Sequence, residues 1–345
     1  SSPGDFEAVK RIASEVKGPS IAGLCRAMTS DIDAVWDAVK YSDKPRIHTF
    51  IATSDIHIET KFKKTRDEIR QIAANMVGYA RDKFGDRPIN VEFSAEDAGR
   101  TEPAYLYSVL EAVIDAGATT VNIPDTVGYT LPEEFGRLIK GIKDNVKNID
   151  KAVIATHCHN DLGLAVANSL AGIMNGARQI ECTINGIGER AGNAAMEELV
   201  MLMRVRKDMM NGTYTTINTP AFYETSQMVS ELTSMPIQYN KAIIGRNAFA
   251  HESGIHQDGM LKGRETYEIM RPEDIGLTGS LLPLGPRSGK NAVFSKLESL
   301  GHKLTDTQAP VFFEQFKRLA DETKRVSDDD LVRLYEQFQK QASAV

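Results

Sequence analysis

The sequence predicts an α/β fold of the (β/α)8 TIM-barrel class, followed by a smaller and mainly helical region. Two observations support this prediction: short β-rich apolar runs alternate with helical patterns, and polar clusters come directly after those runs. Strands that alternate with helices are typical of a parallel sheet with helical crossovers. A third observation is that the alternation stops near residue 210, where a different kind of region begins.

The predicted strands follow one another at a spacing of roughly 30 residues. They lie at residues 20–24, 47–51, 89–93, 119–123, 152–156 and 179–184. The clearest helical patterns between them lie at residues 65–84, 102–116 and 132–146. Six such units favour a barrel, because an open doubly wound sheet would be nearly complete at that number. A closed barrel needs eight strands, so we expect that the first two are missing from this chain.

Polar side chains cluster at the end of each strand after the first. The clusters lie at residues 53–55, 94–97, 124–126, 157–161 and 185–193. In a barrel of parallel strands these positions all open onto the carboxyl-terminal rim, where active sites of this fold are built. The sequence therefore predicts a site at that rim.

The domain prediction has three parts. Residues 1–210 form the barrel, residues 211–300 form a linker and a first subdomain, and residues 301–345 form a helical subdomain. The segment 211–220 is rich in Gly, Thr and Asn, as linkers are. Residues 305–342 show the pattern of two charged helices.

Composition excludes several classes of protein. The 345 residues are 41% hydrophobic and 26% charged, and a formal charge of -6 offers no basic field for nucleic acid. No apolar run reaches the roughly 20 residues that span a bilayer. Three widely spaced cysteines favour a reducing compartment. We expect a cytoplasmic protein, or a protein of the plastid stroma if the source is a plant or alga.

A histidine pair follows the fifth strand. His157 and His159 are two residues apart on a strand, so both side chains point to the same side and can reach one ion. Asn193 and Asp161 are the candidate oxygen ligands, because two imidazoles alone make an incomplete site. The alternative is that one histidine caps the strand and the other packs in the barrel. The polar neighbours favour the metal site.

The glycine-rich stretch 185–193 allows a second interpretation. Gly186, Gly188 and Ala191 match the G-x-G-x-x-A pattern of a dinucleotide-binding loop, which would indicate a dehydrogenase. That pattern belongs after the first strand of its unit, whereas here it follows the last recognisable strand and precedes a Met- and Leu-rich helix. We therefore favour glycines that let the backbone approach a ligand at the barrel mouth.

Other reactive or charged residues receive structural interpretations. Cys158 lies between the two histidines and points the opposite way, into packing, and Cys182 is interpreted as a core residue. The basic run 61–64 is interpreted as a solvated helix start. The acidic run 328–330 is interpreted as a solvated helix N-terminus, where negative charge is favourable.

With these residues described, the chain resembles the acyl-CoA-condensing metallo-barrel family, in its 2-isopropylmalate synthase branch. Homocitrate, citramalate and methylthioalkylmalate synthases belong to the same family. The matching motifs are IHTFIA at 47–52, EFSAEDAGR at 92–100, NIPDTVG at 122–128, HCHND at 157–161, GERAGN at 188–193, HESGIHQDG at 251–259 and the stretch 267–276. The motifs extend over nearly the whole chain.

The resemblance implies a set of site residues, matched position by position. The metal ligands would be His157, His159 and Asn193, holding a divalent ion such as Mn²⁺, Mg²⁺ or Zn²⁺. The residues that bind the keto acid or support its binding would be His48, Ser94, Asn122 and Thr126. The catalytic residues would be Glu96, His256 and Tyr267. His256 and Tyr267 match linker residues that reach the partner's active site in the family, so an intertwined homodimer is expected.

The reaction that the resemblance implies is the condensation of acetyl-CoA with a 2-oxo acid, 2-oxoisovalerate being favoured, as in leucine biosynthesis. His256 would remove the methyl proton, oriented by Glu96 or Glu252. Another 2-oxo acid stays open as an alternative. A lyase is disfavoured, because related lyases generally lack the HESGIH linker. A non-catalytic paralogue acting as a binding subunit is the alternative outside enzymes.

One departure concerns the first strand of the family, which carries an Arg-Asp-Gly segment. Its arginine polarises the keto group and its aspartate is a metal ligand, and no such segment occurs in these residues. We expect a truncated or partly recorded chain whose metal site is short of one ligand.

Overall fold

The structure is a computed structural model that describes residues 2–250, 256, 259, 263, 268–278 and 284–342. It divides into two compact units, Ser1–Leu199 and Val200–Val345. The finer three-part division stays a prediction. None of the described helices is long and apolar enough to cross a bilayer.

A parallel sheet of six strands forms the centre of the first unit, and its strands lie side by side in chain order. The strands are β1 (Ile21–Arg26), β2 (Pro45–Ala52), β3 (Val91–Glu96), β4 (Thr120–Asp125), β5 (Val153–Cys158) and β6 (Gln179–Glu181). Every adjacent pair is parallel. The predicted barrel-type α/β fold is confirmed, and each strand lies within a few residues of its predicted position.

Helices connect the strands. They are α1 (Pro3–Glu15), α2 (Thr29–Val39), α3 (Arg66–Asp82), α4 (Pro103–Ala116), α5 (Pro132–Asn145), α6 (Ala165–Asn175) and α7 (Met196–Val205). The helices α3 to α5 match their predicted ranges. Thr65 caps α3 in a reciprocal pairing with Glu68, which explains where this helix begins. The sequence analysis missed α1, although Ser2 and Asp5 form the same kind of capping box.

The two faces of the sheet differ in polarity because side chains alternate along each strand. Ile47, Phe93 and Val121 are fully buried, and they form the apolar layer of the sheet under the helices. The intervening positions carry polar side chains such as His48 and Ser94, which contact one another on the opposite face. This inner face is therefore polar.

The sixth strand is shorter than predicted. It ends at Glu181, and a tight turn at Ile184–Gly186 replaces the expected last residues. Asn185 in this turn has a left-handed backbone, with φ of 64°, which a continuing strand cannot accommodate.

The second unit is mainly helical. Its helices are α8 (Phe222–Thr233), α9 (Lys290–Ser299), α10 (Gln308–Thr323) and α11 (Asp328–Ala342). Phe312, Phe316 and Leu331 are fully buried in the core that α9, α10 and α11 share. The two predicted charged helices are confirmed as α10 and α11. The acidic run 328–330 forms the first turn of α11, as predicted.

Candidate active site

The histidine pair lies at the carboxyl end of β5. The Nε2 atoms of His157 and His159 are 3.1 Å apart. Two ring nitrogens that bind one ion at about 2.1 Å and at a right angle are about 3 Å apart. The spacing of the pair therefore suits two ligands of one ion.

Each imidazole has a polar neighbour at its other nitrogen. Oε2 of Glu181 lies 2.9 Å from Nδ1 of His157, close enough for an ion pair but not aligned as a hydrogen bond. Nδ1 of His159 contacts the carbonyl oxygen of Thr126, which also accepts a hydrogen bond of 2.8 Å from Arg190. Nη2 of Arg190 also lies 2.7 Å from Nδ1 of His159. Contacts at Nδ1 orient a metal-binding imidazole, and its Nε2 is available to an ion in the tautomer whose proton is on Nδ1.

Asn193 is the third predicted ligand. It pairs with His159 through an isolated backbone bridge, and its Nδ2 donates to the carbonyl oxygen of Ile187 at 2.9 Å. Its Oδ1 is buried and has no hydrogen-bond partner within the described part of the chain. A buried carbonyl oxygen without a partner is costly, and a cation would relieve that cost. The three predicted ligands therefore fit a divalent ion.

The glycines of the 185–193 stretch allow the close packing of this loop against its own atoms. A Cβ at Gly192 would lie 2.0 Å from the carbonyl oxygen of Gly186, and a Cβ at Gly188 would lie 2.2 Å from Nδ2 of Asn193. The space beside these glycines is thus filled by the loop's own atoms. They allow the loop to close around Asn193, which disfavours a phosphate cradle and the dehydrogenase interpretation.

Asp161, the other candidate oxygen ligand, is engaged elsewhere. Arg190 donates to both of its oxygens, at 2.8 and 3.1 Å. This hydrogen bond and the charge of Arg190 hold the pKa of Asp161 below its ordinary value.

Three predicted substrate-binding residues meet below the rim. Nε2 of His48 lies 2.6 Å from Oγ of Ser94, and Nδ2 of Asn122 donates to that same Oγ at 2.9 Å. Burial lowers the pKa of His48 to about 4, so its imidazole is neutral at pH 7. The structure brings these three side chains together as a neutral hydrogen-bonding cluster.

Thr126, the fourth predicted substrate-binding residue, lies at the end of β4. Its hydroxyl accepts a hydrogen bond of 2.9 Å from the backbone N–H of Asp97. Because its carbonyl oxygen contacts His159, Thr126 connects the metal-ligand group to the end of β3.

A charged layer lies deeper in the sheet. Arg46 donates to Oε2 of Glu92 at 2.9 Å and to Oε1 of Gln179 at 2.7 Å, and Gln179 donates to Glu92 at 2.6 Å. Burial raises the pKa of Glu92 to about 7, and the nearby Glu181 carboxylate adds to the rise. Burial acts to raise the pKa of Glu181 as well. The His157 contact and the nearby His48 outweigh burial, so the pKa of Glu181 is lowered overall.

His48, Glu92 and Glu181 offer ligand atoms within 4.8 Å of one another, and as a group they could hold a metal ion. The guanidinium of Arg46 already neutralises Glu92, however, and Glu181 contacts His157. These existing partners make the rim group the better metal site.

Glu96, a predicted catalytic residue, ends β3 at the rim. Nζ of Lys61 lies 3.3 Å from its Oε1 and 3.2 Å from its Oε2. Nε2 of His57 lies 4.0 Å from Oε1. The lysines of the 61–64 run are exposed, and Thr65 caps the helix that follows, in agreement with a solvated helix start. Lys61, within the five-residue π-helix at Ile58–Phe62, in addition contacts Glu96.

The other predicted catalytic residues belong to the second unit. His256 is exposed. Tyr267 and Glu252 lie outside the described residues. Their predicted roles stay predictions.

Burial disfavours the thiolate form of Cys158 and Cys182. Burial raises the pKa of Cys158 to about 12 and that of Cys182 to about 11, so both thiols stay protonated. Cys158 is fully buried on the outer face of β5, as its position between the two histidines predicts.

The sequence analysis missed four interior polar residues and the Lys61 contact. The missed interior residues are Arg46, Glu92, Gln179 and Glu181. A signal for them was present, because each occupies the same face of its strand as a neighbouring polar residue two positions away: Arg46 and His48 on β2, Glu92 and Ser94 on β3, Gln179 and Glu181 on β6. Polar residues with a period of two within otherwise apolar strands indicate a shared inner face.

Comparison with known proteins defines the class. The profile of the HMGL-like family matches residues 1–229, and the profile of the homocitrate synthase post-HMGL domain-like family matches residues 243–324. The chain therefore belongs to the HMGL-like family.

Two similar proteins are both named 2-isopropylmalate synthase. The protein of Dictyoglomus turgidum is 57% identical over 334 residues, which cover 97% of this chain and 65% of that protein. The protein of Thermosynechococcus vestitus is 59% identical over 344 residues, which cover 96% of this chain and 64% of that protein. The chain thus spans slightly less than two thirds of the length of these curated relatives.

A solved structure of hydroxymethylglutaryl-CoA lyase from Pseudomonas aeruginosa shares the fold. It is 17% identical, with a TM-score of 0.54, and the match covers 69% of this chain and 77% of that one. The resemblance drawn from the motifs is confirmed at the level of the family.

Proposed function

We propose that the protein condenses acetyl-CoA with 2-oxoisovalerate to give 2-isopropylmalate and CoA, a reaction of leucine biosynthesis. The observation that carries this proposal is the rim group of two imidazoles 3.1 Å apart beside the unpartnered Oδ1 of Asn193. The relatives that bear the synthase name support the same reaction.

His157, His159 and Asn193 would hold a divalent ion, Mn²⁺, Mg²⁺ or Zn²⁺. When bound, such an ion supplies Lewis-acid polarisation of the keto group. Glu181 and the carbonyl oxygen of Thr126 keep the two imidazoles turned toward that position.

The chain's own residues would complete the reaction. His256 of a partner subunit would take a methyl proton from acetyl-CoA, and the resulting carbanion would form a C–C bond to the keto carbon. The alkoxide takes up a proton, and water then cleaves the thioester to release CoA as a free thiol. Glu96 would orient the reacting groups at the rim, with Tyr267 as a further catalytic residue.

The neutral cluster of His48, Ser94 and Asn122 would form the inner wall of the 2-oxo acid site. A neutral imidazole suits a substrate with an apolar side chain better than a charged one does, because a buried charge would need a partner. This favours 2-oxoisovalerate over a 2-oxo acid with a second carboxylate.

The proposal includes an intertwined homodimer in the cytoplasm. The dimer rests on the match of the 251–259 and 267–276 segments to linker residues of the family. The compartment rests on three separated thiols and on relatives from bacteria and cyanobacteria.

The test is release of free thiol from acetyl-CoA by the full-length protein, measured with Mn²⁺ or Mg²⁺ across a panel of 2-oxo acids. We expect release that requires both metal and 2-oxoisovalerate. His157→Ala and His159→Ala should each lower the rate by at least about 100-fold. His302→Ala is the matched control, because this histidine packs on Tyr335 in the second unit and should leave the rate unchanged.

Each other result has a defined meaning. Release with a different 2-oxo acid would reassign the substrate within the same chemistry. A folded dimer that releases no thiol with any 2-oxo acid would overturn the proposal in favour of a binding subunit.

A further inference from the structure

We propose that Lys61 is a positioning residue for Glu96, and that the nearby His57 supports it. This inference rests on the proposed function, in which Glu96 acts at the rim, and it identifies a residue that positions that carboxylate. It gives a function to the turn between β2 and α3, to which the family motifs assign no role.

The turn that carries Lys61 has an unusual backbone. After β2 the chain forms one helical turn at Asp55–His57 and then a π-helix at Ile58–Phe62, which ends at Lys63 with a left-handed φ of 53°. Single π-turns are rare and cluster at functional sites. A left-handed non-glycine residue adds strain that surrounding contacts must offset.

Contacts at both ends hold the turn in place. Ile58 is buried. Arg66, the first residue of α3, donates to both oxygens of Asp55, at 2.7 and 2.6 Å. A bidentate pair of this kind fixes geometry as well as adding energy. The turn is therefore a rigid support for the side chains it carries.

Lys61 directs its ammonium group at the catalytic carboxylate. Its Nζ lies at nearly equal distances, 3.3 and 3.2 Å, from the two oxygens of Glu96. Equal contacts to both oxygens restrict rotation of the carboxylate as well as its position. Among the described residues, Lys61 is the only lysine or arginine that forms an ion pair with Glu96.

His57 lies near both Glu96 and the buried carboxylate of Asp97. Its Nδ1 is 3.2 Å from Oδ2 of Asp97, and its Nε2 is 4.0 Å from Oε1 of Glu96. Asp97 is 1% exposed. It is fixed by Ser54, which donates to Oδ2 at 2.5 Å, and by Arg100, which donates to both oxygens. The Glu96 carboxylate thus has an ammonium group in direct contact and an imidazole 4.0 Å away.

Lys61 and His57 differ in exposure, and the more exposed Lys61 is suited to positioning rather than to packing. The Lys61 side chain is 49% exposed, against 23% for the His57 side chain. An exposed ion pair adds little to folding stability. Because this ion pair adds little to folding, its contact with both carboxylate oxygens is better suited to orienting Glu96 at the rim.

The test uses Lys61→Met in the full-length protein, which removes the charge and keeps much of the side-chain length. We expect kcat to fall about 10- to 100-fold, the loss typical of a misplaced catalytic group, with KM for the 2-oxo acid changed less than twofold. Lys61→Arg should recover most of the rate. Lys63→Met, an exposed lysine at the end of the same turn, is the matched control and should leave kcat unchanged.

A double-mutant cycle with Glu96→Gln separates positioning from a structural role. If Lys61 acts through Glu96, then Lys61→Met should lower kcat in the wild-type background and cause no further loss in the Glu96→Gln background. Equal losses in both backgrounds, or a Lys61→Met variant as fast as wild type, would overturn the inference while the proposed function stands. A wild-type protein without thiol release would instead overturn the proposed function, and this inference with it.

Discussion

Glu181 connects the predicted metal ligands to the polar interior of the sheet. One of its oxygens lies 2.9 Å from Nδ1 of His157, and the other lies 3.6 Å from Nδ1 of His48. A carboxylate behind a ligating imidazole raises the basicity of that imidazole and fixes its orientation. Glu181 therefore lies beside both a predicted metal ligand and the interior His48.

We predict that Glu181→Gln weakens metal binding. The amide cannot hold the His157 ring as the carboxylate does, so the affinity for Mn²⁺ should fall about 10- to 100-fold. Isothermal titration calorimetry with Mn²⁺ measures this change. Glu189→Gln, an exposed glutamate of the rim loop, serves as control, and equal affinities for the two variants would exclude the orienting role.

A second prediction concerns Glu92 and pH. Because the folded state raises the pKa of Glu92 to about 7 from an ordinary 4.5, Glu92 contributes stability that is complete below about pH 4.5 and is lost as pH rises through 7. Glu92→Gln cannot ionise. Its free energy of unfolding relative to wild type should therefore rise between pH 5 and pH 8, by at most about 3 kcal/mol.

Urea unfolding at several pH values measures that difference. Glu133→Gln is the control, because Glu133 is highly exposed and should show no pH-dependent difference from wild type. A Glu92→Gln curve parallel to wild type across this range would contradict the raised pKa.

At the scale of elements, the loop after β6 is shaped by its own glycines. Gly192 has φ of 89°, and an added Cβ would lie 2.0 Å from the backbone oxygen of Gly186. Such an overlap cannot be relieved by a side-chain rotation, so the backbone that carries Asn193 would have to shift.

We predict that Gly192→Ala lowers both stability and metal affinity. Crowding adds to the cost of the left-handed backbone, so stability should fall by about 2–3 kcal/mol. Gly163→Ala is the control, because Gly163 has φ of 74° with open space around it and should lose about 1 kcal/mol while Mn²⁺ affinity is kept. Urea unfolding and calorimetry measure the two quantities. Equal losses of stability and of Mn²⁺ affinity in the two variants would show that the positive φ, and not the crowding at Gly192, causes them.

Most of the elements could be predicted from the sequence, because apolar runs and capping residues are local signals. The six strands and helices α3 to α5 follow from them, and so does the convergence of His157 and Asn193 at one rim. The contacts of Glu181 and Lys61 could not be predicted, because they depend on how far the sheet curls and on a single π-turn. Neither property is encoded in a short periodic pattern.

At the scale of the whole molecule, the two units have different kinds of core. The first is built on a sheet with one polar face. The core shared by α9, α10 and α11 is apolar, with Phe312 and Phe316 fully buried. Mutations in this helical core should therefore act on stability without altering the chemistry of the rim residues.

We predict that Phe316→Ala costs about 3–5 kcal/mol in the second unit, because the cavity loses a fully buried ring. Hydrogen exchange followed by mass spectrometry should show faster exchange at residues 308–342, with protection retained in β3 and β4. Val311→Ala, an exposed position on the same helix, should change neither region. Equal loss of protection in both units would show that they unfold as one.

The π-turn at Ile58–Phe62 makes its segment sensitive to length. A π-turn contains one residue more than an α-turn, and each helical residue rotates the next by about 100°. Deleting one residue upstream of Lys61 within the turn would allow ordinary helical geometry and turn the ammonium away from Glu96. Substitutions at exposed positions such as Glu59 and Thr60 would leave the Lys61 ammonium group directed at Glu96. Among natural relatives this segment should vary in composition while its residue count stays fixed.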